Sequence, residues 1–310
     1  MPRVRRMVIK GEPGVYHVIS RTALKGLPYK DVDKDMLLSI IKRFSALFFV
    51  EVLGFSLMGN HFHLVVRMLP EDFFTVDELI QRLQNHYGED IDVAEGRISY
   101  YKDKLSKLAN YMKEIKQAFS VYYNRKYRRK GTLWGERFKS VIVENGDTLI
   151  NCLAYVELNP IRAGLVKKPE DYRWNSLGYH AQTGNPDQFL SMDFGVASFA
   201  NVDAEECLRL YRQFVYEAGA IDHPAKPNAK KIRKRVLRKA RKQNFKPTRT
   251  ERFLMRTRYF TDSGIIGSKA FVSDTFLQFQ DLFQNPGKRT PKPVQGVEGV
   301  YSMKRLSEII

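Results

Sequence analysis

The hydrophobic pattern near the start of the chain predicts three strands and one helix. Strands are expected over Val15 to Ser20, Val50 to Leu57 and His61 to Met68, where β-branched and aromatic residues cluster between turn residues. Asp33 to Leu47 reads instead as a helix, with Met36, Leu37, Ile40 and Ile41 at helical spacing. The second and third strands are separated only by Met58-Gly59-Asn60, a hairpin signal. The third strand therefore has an immediate antiparallel neighbour.

Further along, Lys104 to Tyr127 predicts a long helix, because Leu105, Leu108, Met112, Ile115, Phe119 and Tyr122 recur three and four apart. Trp134 to Glu144 alternates as a strand, with Phe138 and Ile142 on one face and Arg137, Lys139, Val141 and Val143 on the other. Asn145 to Pro160 reads as one short helix, capped by Asp147 and ended by Pro160. Its inward stripe is Leu149, Leu153 and Val156, while Tyr155 and Asn159 lie together roughly 100° around from it. Glu157 falls inside the apolar arc, which helical periodicity does not explain.

Composition narrows the partner. The chain of 310 residues carries a formal charge of +18, so attraction to phosphate is the default expectation, and binding to nucleic acid should be salt-sensitive. Cys152 and Cys207 are the only cysteines, which leaves no disulfide framework and no zinc cluster, as suits a reducing cytoplasm. The longest apolar stretch, Ala46 to Met58, is interrupted by Glu51 and too short to span a membrane. Met1 to Arg6 reads as a basic arm, not a signal peptide.

The chemistry concentrates at His61-Phe62-His63. Strand alternation points both imidazoles the same way, about 6.6 Å apart along the backbone, and sends Phe62 to the opposite face. This is half of a metal site, although two ordinary strand histidines would look the same. The chain also offers a third ligand type and a nucleophile. Two neutral imidazoles and the amide oxygen of Asn159 can hold a divalent ion such as Mg²⁺ or Mn²⁺, which would act as a Lewis acid on a phosphate oxygen. The phenol of Tyr155 could then attack phosphorus and conserve the bond as a phosphotyrosine. Tyr123 is the rival nucleophile, without a comparably placed amide. His17 could lie near the site, or be a structural strand histidine.

Four separated pieces carry a family resemblance: Gly14 to Arg21, Met58 to His63, Gly131 to Ser140, and Tyr155 to Val166. Together they resemble the single-tyrosine transposases of the HUH nuclease superfamily, specifically the REP-associated tyrosine transposases, over residues 1 to about 180. The resemblance implies an α+β fold with a ferredoxin-like antiparallel sheet and helices on one or both faces. By the same carry-over His61 and His63 bind the metal, Asn159 is the third ligand and Tyr155 the nucleophile. In the wider superfamily that third position often holds a glutamine, one methylene longer than Asn159. The implied activity is cutting and rejoining of single-stranded DNA near palindromic hairpins, with a 5′-phosphotyrosine link and a freed 3′-hydroxyl. No small-molecule cofactor and no membrane are implied, and the expected location is a bacterial cytoplasm, at the nucleoid.

Candidate DNA contacts follow from the cations. Arg137 and Lys139 would grip backbone phosphates, and the run Asn124 to Lys130, with Arg125, Arg128 and Arg129 around Tyr127, combines cations with an aromatic. Lys230 to Arg241 holds Lys231, Arg233, Arg235 and further cations without one carboxylate, and predicts a second contact. We expect a catalytic domain over 1–182, a helical connector over 183–229 with a linker from His223 to Asn228, and a basic, mostly helical DNA-binding region over 230–310. Glu251 to Gln280 would form a small helical module, and Pro286 to Pro293 is turn-rich. Two other readings compete: a DNA-binding protein that has lost catalysis, and an unrelated metal hydrolase. The hydrolase reading suffers because Leu64 and Val65 follow His63 where an Asp-His pair would be needed.

Overall fold

The computed structural model describes residues 7–89, 91, 93–196, 199, 202–221, 229–248, 251, 263–278, 280, 287, 289–293 and 299–304. The basic arm Met1 to Arg6, the linker His223 to Asn228 and most of Glu251 to Ser263 lie outside them.

Four strands, β1 (Gly14–Arg21), β2 (Val50–Leu57), β3 (His61–Met68) and β4 (Lys139–Ile142), form one sheet in the order β2-β3-β1-β4. Every neighbouring pair is antiparallel. With α1 (Asp31–Leu47) between β1 and β2, and α2 (Val76–Tyr87), α3 (Ile98–Leu105) and α4 (Leu108–Lys126) between β3 and β4, the chain has the expected ferredoxin-like α+β arrangement.

Side-chain alternation builds a layer on each face. Phe62, Leu64 and Val66 of β3 pack with Leu37 and Ile41 of α1 and Met112, Ile115 and Phe119 of α4. The opposite parity, Val65 with Val15 of β1 and Leu53 of β2, packs under α5 (Asp147–Glu157) through Leu149, Leu153 and Val156. His61 and His63 share the parity of Val65 and so face the α5 layer. Helix α5 sits close to the sheet at Gly54, where a Cβ would stand 2.7 Å from Leu153 Cδ2.

Several elements differ from their sequence pattern, each for a local reason. The expected helix from Lys104 is two helices, α3 and α4, because the carbonyl of Leu105 is taken by the N–H of Phe49 (3.0 Å). The strand expected from Trp134 is regular only over β4; before it, Gly135 bonds to the Arg21 carbonyl (3.1 Å) and Trp134 makes a single bridge to Thr22. The N-cap of α5 is Gly146, at φ 92°, and Asp147 lies in the first turn, where its charge favours the helix dipole. Pro160 does not simply stop the helix: it occupies the first turn of a four-residue helix, α6 (Asn159–Arg162), that follows α5 directly.

Beyond residue 170 come α7 (Ser176–Thr183), α8 (Ala204–Ala220) and α9 (Lys234–Lys242). Packing is continuous across the expected boundaries at 182 and 229. Val215 and Tyr216 of α8, and Ile232, Ala240 and Phe245 around α9, share one core with the inner face of α5. A buried ion pair between Arg212 and Glu170 fixes this junction, and Arg212 also donates to the Phe245 carbonyl and, over 3.0 Å, to the Tyr216 hydroxyl. The last described elements are β5 (Ser263–Gly267), α10 (Lys269–Gln278), β6 (Lys292–Pro293) and β7 (Tyr301–Lys304), with β7 central in a three-stranded antiparallel sheet. The stretch read as a small helical module contains a strand, β5, as well as α10, and Ile265, Val272 and Phe276 share a small core with Met303 of β7. Among the described residues, no helix is long and apolar enough to cross a membrane.

Candidate active site

The site lies where β3 begins. Asn60, in the hairpin turn, donates from Nδ2 to the Gly26 carbonyl (2.9 Å), which turns its Oδ1 to His61 Nδ1 at 2.7 Å. His61 is partly exposed and His63 is buried, with ring centroids 5.1 Å apart.

His17 belongs to this group. It stands opposite Val65 across the β1–β3 ladder, so the diagonal neighbour on the same face is His63. The two rings stack nearly parallel, with centroids 5.2 Å apart and an interplanar angle of 14°, and His17 Nε2 lies 3.0 Å from His63 Nδ1. Burial lowers the His17 pKa to about 4.

Tyr155 completes the cluster from above. Its ring centroid lies 5.9 Å from that of His63 and 5.9 Å from that of His17, edge-on to both, and its side chain is partly exposed. One turn on, the Asn159 amide donates from Nδ2 to the carbonyls of Tyr155 (3.1 Å) and Val156 (3.3 Å), which holds its side chain against the helix that carries the phenol. The rival phenol is elsewhere: Tyr123 is 4 % exposed, packs in the α1/α4 layer and donates to the Pro28 carbonyl at 3.2 Å.

Glu157 explains its own position in the apolar arc. It is 1 % exposed, and its carboxylate accepts the Leu177 N–H (3.0 and 3.2 Å) at the head of α7 and the Tyr211 hydroxyl (3.4 Å). Burial pushes its pKa up to about 8, against the lowering effect of those hydrogen bonds. The carboxyl thereby ties the phenol-bearing helix to α7 and α8.

Among the described residues no three His, Cys, Asp or Glu side chains are grouped to hold a metal. His61, His63 and the Asn159 carboxamide could offer a divalent cation a mixed nitrogen and oxygen set, which suits Mn²⁺ and, less strongly, Mg²⁺.

No protein-family model matches the chain, and neither does any curated protein. Solved structures similar to it include two transposases. One is a REP-associated tyrosine transposase bound to a REP hairpin, at 18% identity and a TM-score of 0.42, the match covering 62% of this chain and 90% of the other. The second is a candidate transposase from Deinococcus radiodurans R1, at 14% identity and a TM-score of 0.25, covering 46% of this chain and 87% of the other. Both likenesses are distant.

The candidate DNA contacts fall into three places. Lys139 pairs with Ile19, which on its other side pairs with His63, so Lys139 shares the face of the imidazoles; both it and Arg137 are exposed. Lys231, Arg233 and Arg235 are exposed at the entry to α9, and the preceding Lys230 N–H bonds to the Arg162 carbonyl at 3.4 Å, which sets this cationic segment beside the turn after Tyr155. Arg125 lies in the last turn of α4, and Arg128 and Arg129 follow that helix, where Arg129 donates to Asn124 (3.3 Å).

One functional side chain escaped the sequence reading. The Arg162 guanidinium lies 5.3 Å from the centre of the Tyr155 ring, and its Nη1 is buried with no hydrogen-bond partner. Burial lowers its pKa, an effect that the nearby Tyr155 opposes. Seven residues, two helical turns, separate the pair, a spacing that periodicity would have flagged had the helix not been ended at Pro160.

Proposed function

We propose that this protein is a metal-dependent, single-tyrosine DNA transposase that cuts and rejoins single-stranded DNA beside palindromic hairpins. The observation that carries the reading is the contact of the Tyr155 ring with His63, with Asn159 at the start of the next helix donating back to the Tyr155 carbonyl. A phenol beside strand imidazoles supports strand transfer through a covalent phosphotyrosine, whereas hydrolysis would need only water.

In the reaction, the Tyr155 oxygen forms a bond to phosphorus as its proton leaves, and the bond from phosphorus to the 3′-oxygen breaks. That oxygen takes up a proton and becomes the free 3′-hydroxyl, while the 5′ side stays linked to the enzyme as a phosphotyrosine. Attack by a 3′-hydroxyl on this link restores the phosphodiester and releases the phenol. His61, His63 and Asn159 would hold Mg²⁺ or Mn²⁺, which supplies Lewis-acid polarisation of a non-bridging phosphate oxygen. Arg162 balances charge at the phenol face, and Lys139 with the α9 cations guides the DNA backbone onto the site.

The test is incubation with a labelled single-stranded hairpin substrate and Mg²⁺ or Mn²⁺, followed by denaturing electrophoresis. A covalent adduct that disappears in Tyr155→Phe supports the reading. Tight binding without an adduct under any metal would leave a DNA-binding protein without catalysis.

A further inference from the structure

We propose that His17 is a positioning residue: it fixes the tautomer of His63 so that the Nε2 lone pair of that imidazole is turned to a divalent cation, and its ring buttresses the nucleophile. The inference rests on the metal reading of His61 and His63 given above.

The protons on the ring nitrogens decide which atoms can bind a cation. A neutral imidazole carries one N–H and one lone pair, and only the lone pair can act as a ligand. At His61 the choice is made by Asn60: its Nδ2 is committed to the Gly26 carbonyl, so its Oδ1 is the atom facing His61 Nδ1. An amide oxygen only accepts, which places the proton on His61 Nδ1 and the lone pair on Nε2.

At His63 the matching role falls to His17. Nε2 of His17 and Nδ1 of His63 are 3.0 Å apart, and one of them must donate. If His17 donated, His63 would carry its proton on Nε2 and its only lone pair would be spent inside the protein. If His63 donates, both imidazoles on β3 share one tautomer and present Nε2. His17 then accepts, and must be protonated on its own Nδ1. Two different partners, an amide in the turn and a ring on the next strand, impose the same state on the two rings.

The surroundings hold His17 to this task. It is buried on the inner face of β1, nearly parallel to His63, and it meets the Tyr155 ring edge-on at 5.9 Å. A shift of His17 would therefore disturb the imidazole and the phenol together. Partners of this kind, which hydrogen-bond to metal-ligating histidines, typically change metal affinity by about 10–100-fold when removed.

The experiment uses the full chain and Mn²⁺ alone. Free Mn²⁺ is followed by electron paramagnetic resonance in titrations of the wild type, His61→Ala, His17→Phe and His17→Gln. The tautomer of His63 is read in the metal-free protein by long-range ¹H–¹⁵N correlation. Phenylalanine keeps a ring in the stack but cannot accept a hydrogen bond; glutamine can supply an acceptor near the position of Nε2.

The expected results are an Nδ1–H tautomer at His63 in the wild type, Mn²⁺ binding weakened about 10–100-fold in His17→Phe, and substantial recovery in His17→Gln. Wild-type affinity in His17→Phe, or an Nε2–H tautomer at His63 in the wild type, would overturn the role of His17 while leaving the metal reading in place. A wild type that binds no Mn²⁺, or a His61→Ala variant that binds it equally well, would overturn the metal reading and this inference with it.

Discussion

The guanidinium of Arg162, on the short helix α6 that follows α5, stands 5.3 Å over the ring of Tyr155. A cation against a partly desolvated aromatic face contributes about 1–2 kcal/mol, and that contribution grows as negative charge develops on the phenol oxygen. Arg162→Leu should slow single-turnover adduct formation roughly 5–30-fold, with Arg162→Lys retaining part of the rate. Quenched time courses on one hairpin substrate measure this effect.

Cations beside the turn after Tyr155 should set the salt dependence of binding. Lys231, Arg233 and Arg235 are exposed, and the segment they begin is anchored to the Arg162 carbonyl through Lys230. Replacing Arg233 and Arg235 by glutamine should weaken hairpin binding and lower the slope of log K against log salt, by about 0.7 for each single-strand phosphate that is no longer neutralised. Fluorescence anisotropy across a salt series reads both effects.

Asp33 should matter to stability rather than to chemistry. Fully buried in the first turn of α1, it accepts from Lys126 (2.7 Å), Tyr127 (2.7 Å) and Tyr122 (3.2 Å), joining the two helices on the far face of the sheet. Asp33→Ala leaves an ammonium and two hydroxyls without their acceptor. Because Lys126 keeps partial access to water, the loss should be about 2–4 kcal/mol, less than for a wholly buried pair. Urea unfolding at neutral pH checks it.

Acid sensitivity has an identifiable contributor in α7. Burial lowers the His180 pKa from 6.5 to about 4. Between those values the unfolded chain binds a proton that the folded chain refuses, so stability falls as pH drops through the window. His180→Gln should show a smaller decrease in unfolding free energy between pH 6.5 and pH 4 than the wild type. Urea titrations at a series of pH values give the difference, and comparing variants cancels the parallel effect of His17.

Much of this organisation was legible in the chain. The strands holding His17 and His63 announce themselves by alternation and a tight turn, and Tyr155 and Asn159 by their spacing on one amphipathic segment. The partnership of His17 was not legible, because it depends on which residues of β1 and β3 stand opposite each other, a register fixed by contacts 46 residues apart in sequence. Arg162 was hidden for a different reason: Pro160 signals an end to a helix, yet here it begins another that keeps the guanidinium over the phenol. Glu157 could not be understood without α7, since its partner, the Leu177 N–H, lies on a separate element. Short strands such as β6 are too brief for alternation to register at all.

The proposed activity stands or falls on a covalent bond between the Tyr155 oxygen and DNA. Intact-protein mass spectrometry after incubation with a single-stranded hairpin substrate and Mn²⁺, followed by peptide mapping, looks for that bond. The expected result is a mass increase equal to the 5′-phosphorylated cleavage product, carried by the peptide containing Tyr155 and absent in Tyr155→Phe. Cleavage with no covalent species, or an adduct mapped to another residue, would overturn the proposal.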